Sequence, residues 1–402
     1  MKKLKASINI DSKFTAEDWD GFQKLVEASS IEDKAVILRV LSMYTDPQQR
    51  EQEIKNIAVA YKAIAEEKLT VAEGNRKEEL KLLVDTLEKV PENGAETLYE
   101  AIQSFIILWE TMCLEQAPNP FAFSVGNADR IFEPYRAKDN LSREEAAALF
   151  KHFLVFFNVA DRSWAISQNL IVSGRDKNGN DLTNPSTYAL LDAYYEMNLP
   201  QPILSVKLHK NTPQKLYEEL GRFLFTPGCL TPSFFNDDSL YQVLSKAGID
   251  IDDIEDTSIA GCQEPLIMGK DNGNTTNSWF NLGKVLELTL NNGYSTITGE
   301  RIGTACEETD ALSALKNIRE RFYKNAQYFC DEMVKAANGA SRAISHLPVP
   351  FLSTVMGGIE SGYDTRDIVH QGTKYNGSGC LIHGTSVVAD SFIAIDKLIK
   401  ER

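Results

Sequence analysis

The sequence contains no run approaching the ~20 apolar residues that a membrane-spanning helix needs. Its longest apolar stretch, around Ala147 to Ala160, is interrupted by Lys151 and His152. No secretion-type leader is expected, because the basic start Met1-Lys2-Lys3 reaches Asp11 before any apolar core forms. These two absences predict a cytoplasmic protein with no membrane partner. Cysteine is sparse: Cys113, Cys229, Cys262, Cys306, Cys330 and Cys380 are scattered, with no Cys-x-x-Cys spacing. Neither a disulfide framework nor a Cys-rich metal site is expected, so each thiol is either a small buried hydrophobe or a reactive group. The five histidines are far apart and form no His-Glu-x-x-His, and a lone one such as His209 or His383 reads as a hydrogen-bonded structural residue. Phosphate loops are missing too. There is no Gly-x-x-x-x-Gly-Lys-Ser/Thr, and Gly377-Ser378-Gly379-Cys380-Leu381-Ile382 fails the dinucleotide pattern at its third glycine. Positive charge is in deficit: 42 basic against 57 acidic side chains give a net charge of −15. That balance argues against non-specific nucleic-acid binding, which requires clustered Lys and Arg.

What is present is a chain with a real core. Of its 402 residues, 43% are hydrophobic and 25% charged, a balance that argues against disorder. The first third reads as helix. Thr15 and Asp18 frame a helix start, and apolar residues recur at three- and four-residue steps from about Glu51 to Val90 (Ile54, Ile57, Ala58, Tyr61, Ile64, Ala65). Pro91-Glu92-Asn93-Gly94 ends that run. Thr97 with Glu100 forms a capping box opening a helix over Leu98 to Glu115, and Ser142 with Glu145 opens another from about Arg143 to Phe157. Beyond Asn158, short apolar runs alternate with helices. Strands are predicted at Asn169–Val172, Ile203–Leu208 and Ser258–Ala260, with helices starting near Thr187 and near Thr212-Pro213. A long helix from about Ala311 to Ala337 and a last one from Ala389 to Lys400 follow. Strands separated by helices indicate parallel βαβ units and an α/β architecture. The expected organisation is a helical N-terminal region over residues 1–95 and an α/β region over 96–402.

One segment concentrates chemistry: Ile259-Ala260-Gly261-Cys262-Gln263-Glu264-Pro265, followed by the Gly/Asn/Thr-rich stretch Gly269 to Asn277. It reads as a strand running into a loop, where α/β folds place reactive groups. In an extended backbone, residues two apart project to the same side, so Cys262 and Glu264 are expected to face one substrate together. Gly261 permits close approach or unusual dihedrals, and Pro265 fixes the exit. A carboxylate beside a thiol disfavours thiolate, so the pair suits poorly an ionic nucleophile. It suits a sulfur that exchanges a hydrogen atom while the carboxylate moves a proton. The bland alternative is a buried structural cysteine beside a glutamate that caps the following turn.

The wider setting resembles the glycyl radical enzymes, the pyruvate formate-lyase-like lyases and dehydratases. The most specific pieces are Gly261-Cys262-Gln263-Glu264-Pro265 and the stretch Asn281-Leu282-Gly283-Lys284-Val285-Leu286-Glu287-Leu288-Thr289-Leu290-Asn291-Asn292-Gly293. Further matches in the same order are Thr97 to Phe105, Gln168-Asn169-Leu170, Leu199-Pro200-Gln201-Pro202 through His209, Phe234-Phe235-Asn236-Asp237 and Ala389-Asp390-Ser391. The resemblance implies a ten-stranded barrel of two parallel half-barrels wrapped in helices, here expected to be partial. It implies Cys262 as the thiyl site and Glu264 as general acid/base in an elimination from a small hydroxylated substrate. The family's glycine radical is installed by an S-adenosylmethionine iron–sulfur activating enzyme. No cofactor is expected to be bound by this chain itself, and no metal.

Several departures shape the expectation. Gly261 stands where pyruvate formate-lyase has a second cysteine, which disfavours acyl transfer by carbon–carbon cleavage. Pro120-Phe121-Ala122 stands where glycerol-type dehydratases carry a substrate-contacting Gly-His-Ser, so Phe121 is expected at the substrate and a glycerol-like polyol is disfavoured. Thr275 and Thr276 fall where relatives place polar substrate contacts, and Gln168 near a pocket-lining position; a loop capping its own backbone is the alternative for the threonines. An Arg-Val-x-Gly-Tyr-like radical motif occurs nowhere in this sequence. Several barrel strands are therefore expected to be missing, to be supplied by a glycine-loop-bearing subunit or by the remainder of a longer chain; that subunit, the activating enzyme and further copies of the chain are the expected partners. The competing readings are a non-catalytic ligand-binding or regulatory relic, a decarboxylase, and a formate C-acetyltransferase-type member.

Overall fold

A computed structural model describes residues 47–115, 124–159, 168–228, 232–271, 278–305, 307–308, 310–370, 372–375 and 379–401. Helices α1 (Pro47–Leu69) and α2 (Gly74–Lys89) take up the amphipathic run that the sequence suggests is continuous. The run breaks at Thr70, whose hydroxyl bonds the Glu67 carbonyl at 2.7 Å and so competes with the helix ladder. Ile57 and Ala58 of α1 and Leu87 of α2 pack on Ile107 of α3 (Leu98–Glu115). Both predicted capping boxes form. The Glu100 amide donates to Thr97 Oγ1 and the Thr97 amide to Glu100 Oε2. Ser142 and Glu145 do the same at the start of α5 (Arg143–Val159).

Contacts divide the chain into two units, one comprising residues 1–273, 349–365 and 372–375, the other 274–348, 366–371 and 376–402. The expected boundary near residue 95 falls inside the first. That unit is built on a parallel sheet in the order β1 (Ser124–Asn127), β2 (Asn169–Ser173), β3 (Ile203–Leu208), β4 (Ser233–Asn236). Its crossovers carry α4 (Ala128–Lys138), α5, α6 (Pro185–Met197) and α7 (Gln214–Leu224), and α8 (Asp237–Lys246) follows β4. Side chains alternate across a strand. Leu170, Val172, Leu204 and Val206 enter one hydrophobic core with Phe132, Phe150, Phe153 and Leu220 from the helices. Asn169, Ile171, Ser173, Ser205 and Lys207 take the opposite face and are equally buried. What covers that second face is an antiparallel hairpin, β5 (Thr257–Ala260) and β6 (Glu264–Ile267). Short helices α12 (Pro350–Val355) and α13 (Gly358–Ser361) complete the unit.

The second unit pairs β7 (Ser278–Asn281) parallel to β8 (Cys380–His383). Its helices are α9 (Leu282–Leu290), α10 (Ala311–Lys316), α11 (Ile318–Ile344) and α14 (Thr385–Lys400), and its core contains Phe280, Val285, Leu286, Ile318, Phe322, Val388 and Ile395. The single long helix expected from Ala311 is two, parted at Asn317. Among the described residues the strands number eight, in a mixed α/β arrangement of parallel sheets and helices.

Candidate active site

The hairpin places Cys262. The segment was expected to be one extended strand; instead β5 ends at Ala260 and the chain turns over Gly261 to Gln263, with Ala260 paired to Glu264 across the ladder. The physical reason is Gly261, whose φ of +56° lies in the left-handed region that a glycine enters without a Cβ penalty. Alternation along a strand therefore does not relate Cys262 to Glu264. Their coupling comes from the turn itself. The Glu264 carboxylate folds back to accept the Gln263 amide at 2.8 Å, and its charge reaches the neighbouring sulfur. Burial, and then that charge, pushes the Cys262 thiol up from its ordinary value. Cys262 itself is exposed among the described residues, and Glu264 half-buried. A thiol kept protonated is a poor ionic nucleophile and retains the S–H bond that hydrogen-atom exchange requires.

The hairpin is held by polar side chains from the sheet. Asn169 Nδ2 donates to the Gly261 carbonyl and to Ser205 Oγ, both at 2.9 Å. Ser124 and Ser258 share a hydroxyl bond of 2.6 Å, and Asn127 Nδ2 reaches the Thr257 carbonyl at 3.3 Å. Lys207 Nζ donates to the Thr257 carbonyl at 3.1 Å. Lys207 is fully buried; burial pushes its ammonium down while Asp237 pulls it back. Gly174 makes room for it, since a Cβ there would stand 2.6 Å from Lys207 Cε and 2.9 Å from Asp237 Oδ2. Sequence reasoning assigned no role to Asn169, Ser205 or Lys207. The available signal was Asn169 and Ser173 in one strand and Ser205 and Lys207 in the next, polar residues an even number of positions apart in otherwise apolar strands, which mark a second face built for polar contact.

Gln168 immediately precedes β2, is fully buried, and its carbonyl accepts the Ile203 amide at 2.7 Å. Its neighbour Asn169 reaches the cysteine turn with its side chain. Phe121, Thr275 and Thr276 lie outside the described residues. Among the described residues there is no grouping of three or more His, Cys, Asp or Glu side chains able to hold a metal ion. No helix among them is long and apolar enough to cross a membrane.

Comparison with known proteins gives this arrangement a context. The model of the Pyruvate formate lyase-like family matches residues 15–402. The trans-4-hydroxy-L-proline dehydratase of Clostridioides difficile is 29% identical over 364 residues, covering 85% of this chain and 44% of the dehydratase. A glycyl radical enzyme from Archaeoglobus fulgidus superposes with a TM-score of 0.78 at 25% identity, over 95% of this chain and 50% of that one. The B12-independent glycerol dehydratase of Clostridium butyricum does so with a TM-score of 0.76 at 27% identity, over 94% and 48%. The chain thus spans about half the length of these relatives, whose barrels its mixed α/β fold follows. With its Cys262 turn braced against a parallel sheet, the chain belongs to the pyruvate formate lyase-like family of glycyl radical enzymes.

Proposed function

We propose that this chain is the cysteine-bearing component of a glycyl radical lyase or dehydratase, in which Cys262 exchanges a hydrogen atom and Glu264 a proton. The observation that carries this is the Cys262 turn, anchored by Asn169 to the Gly261 carbonyl, with a carboxylate two positions on whose charge adds to burial in opposing ionisation of the thiol. The glycine radical, carried on a glycine loop outside this sequence and installed by an activating enzyme, takes the hydrogen atom of the Cys262 S–H group. The sulfur then removes a hydrogen atom from a substrate carbon bearing a hydroxyl. Glu264 accepts the hydroxyl proton, and the leaving group departs from the neighbouring carbon with its bonding electrons. Cys262 returns the hydrogen atom to that carbon and regains one from the glycine, while the departing group takes the proton held by Glu264, so the substrate yields a carbonyl product and water or another protonated leaving group with no net redox change. A general base of this kind contributes roughly 10²–10⁴-fold.

The relatives' names specify hydroxyproline, sulfopropanediol and glycerol as dehydratase substrates, which supports a small hydroxylated substrate here. Phe121, Thr275, Thr276 and Gln168 are the proposed substrate-contacting positions, and Phe121 disfavours a glycerol-like polyol. The test is anaerobic turnover of the chain co-expressed with a glycine-loop polypeptide and an activating enzyme, offered those hydroxylated compounds. Product is expected from the wild type and none from Cys262→Ala, with Glu264→Gln slower by about 10²-fold or more. Turnover that survives Cys262→Ala overturns the reading. Ligand-induced stabilisation without product, unchanged by Glu264→Gln, would instead identify a binding protein.

A further inference from the structure

We infer that Asn169 is the positioning residue of the reactive turn, setting where the Cys262 sulfur lies by holding the Gly261 carbonyl. The inference rests on the proposed role of Cys262 and extends it to a residue 92 positions before Gly261 in the chain. Asn169 opens β2, between β1 and β3, and is fully buried. A carbonyl oxygen only accepts, so the atom facing Gly261 at 2.9 Å is the amide nitrogen, and the side-chain orientation follows without ambiguity. The second N–H of the same amide goes to Ser205 Oγ on β3. Both donor hydrogens are committed, one to the sheet and one to the turn. The side chain is thus a rigid strut between them.

The effect on the sulfur follows from peptide geometry. The Gly261 carbonyl and the Cys262 nitrogen and Cα share one planar unit. Pinning the oxygen fixes that plane, and with it the axis about which Cys262 is set. Within the turn, the other side-chain bond is local, from the Gln263 amide to Glu264. It shapes the turn but does not locate it against the sheet; Asn169 does. Misplacing a reacting atom by about 1 Å costs on the order of 10²-fold in rate. A strut of this kind should therefore act on the chemical step and leave substrate affinity alone.

The experiment compares Asn169→Asp, Asn169→Ala, Ser205→Ala and Leu170→Ala in the assembled, activated enzyme. Asn169→Asp keeps the volume and loses the donor; Ser205→Ala removes only the other end of the strut; Leu170→Ala damages the opposite face of the same strand. For Asn169→Asp, kcat is expected to fall about 10²-fold with KM within about 3-fold, whereas Leu170→Ala lowers the melting temperature with kcat within about 3-fold. Ser205→Ala is expected to lie between them. In the chain without activation, hydrogen exchange at the Cys262 and Gln263 amides should accelerate about tenfold in Asn169→Asp while α6 and α7 keep wild-type protection. Wild-type kcat in a folded Asn169→Asp enzyme overturns the inference. So does failure of both Asn169 variants to fold, which would make the residue structural. If the wild type shows no Cys262-dependent turnover, the function proposed above fails instead, and the exchange measurement still decides: unchanged protection at the turn removes the Asn169 assignment.

Discussion

A carboxylate placed beside a thiol opposes ionisation of the sulfur, and at Cys262 that opposition adds to the effect of burial. The consequence is measurable without any turnover. Cys262 should alkylate slowly with iodoacetamide at neutral pH, and its reactivity should rise only on the alkaline side of an ordinary thiol. Glu264→Gln removes the negative charge, lowers the thiol's folded-state value, and should move the alkylation profile to lower pH. Site-resolved mass spectrometry separates Cys262 from the exposed Cys380. An unmoved profile would show that the carboxylate and the sulfur are not coupled. The closeness of Cys262 and Glu264 in sequence was legible, but the extended strand expected to align them was not, because the chain reverses at Gly261 and pairs Ala260 with Glu264. Asn169 was not legible as a positioning residue. Its role depends on a hydrogen bond across 92 residues, and the motif and strand pattern that mark its face do not name the partner it meets there.

Elements with local causes were the ones that sequence reasoning recovered. The boxes Thr97/Glu100 and Ser142/Glu145 and the strands β2 and β3 fall where expected because a cap or an apolar run is complete within a few residues. The strands β1, β4, β6, β7 and β8 are four residues each and carry no such run. Pro265 even removes a ladder donor from β6, which a two-stranded hairpin tolerates. Thr97→Ala should therefore cost about 1 kcal/mol, measured by urea unfolding of the chain. A second prediction concerns α9. Glu287 accepts Lys284 Nζ at 2.7 Å and both the amide and hydroxyl of Thr296, at 2.8 and 2.7 Å. The Lys284 ammonium first, then the Thr296 donors, pull the carboxyl from about 4.5 down to about 2. Because the folded value is depressed, the stabilisation is present above pH 4.5 and is lost as pH falls through about 2. Glu287→Gln should thus destabilise the chain at neutral pH, with the gap to wild type closing steadily between these values. A gap that stays constant over that range would mean the carboxylate's charge contributes nothing.

At the scale of the molecule, the two units have cores with no residue in common. One joins the sheet face of Leu170, Val172, Leu204 and Val206 to Phe132, Phe150 and Phe153; the other joins Phe280 to Phe322, Val388 and Ile395. Phe153 is fully buried and meets Phe105, Phe132 and Phe157 edge-on at 5.1–5.4 Å. Phe322 is 6% exposed and meets Phe392 at 5.4 Å in the same manner. Truncating such a ring to alanine removes apolar contact and leaves a cavity, a cost of about 3–5 kcal/mol. Where cores are separate, that cost is paid by the unit that owns the ring, because cooperative opening follows contiguous packing. Phe322→Ala should therefore raise hydrogen exchange across α9, α11 and α14 while β2 and β3 retain their protection. Phe153→Ala should do the reverse, loosening the sheet that carries Asn169 and, with it, the turn of Cys262. Equal loss of protection in both units from either substitution would show one cooperative core.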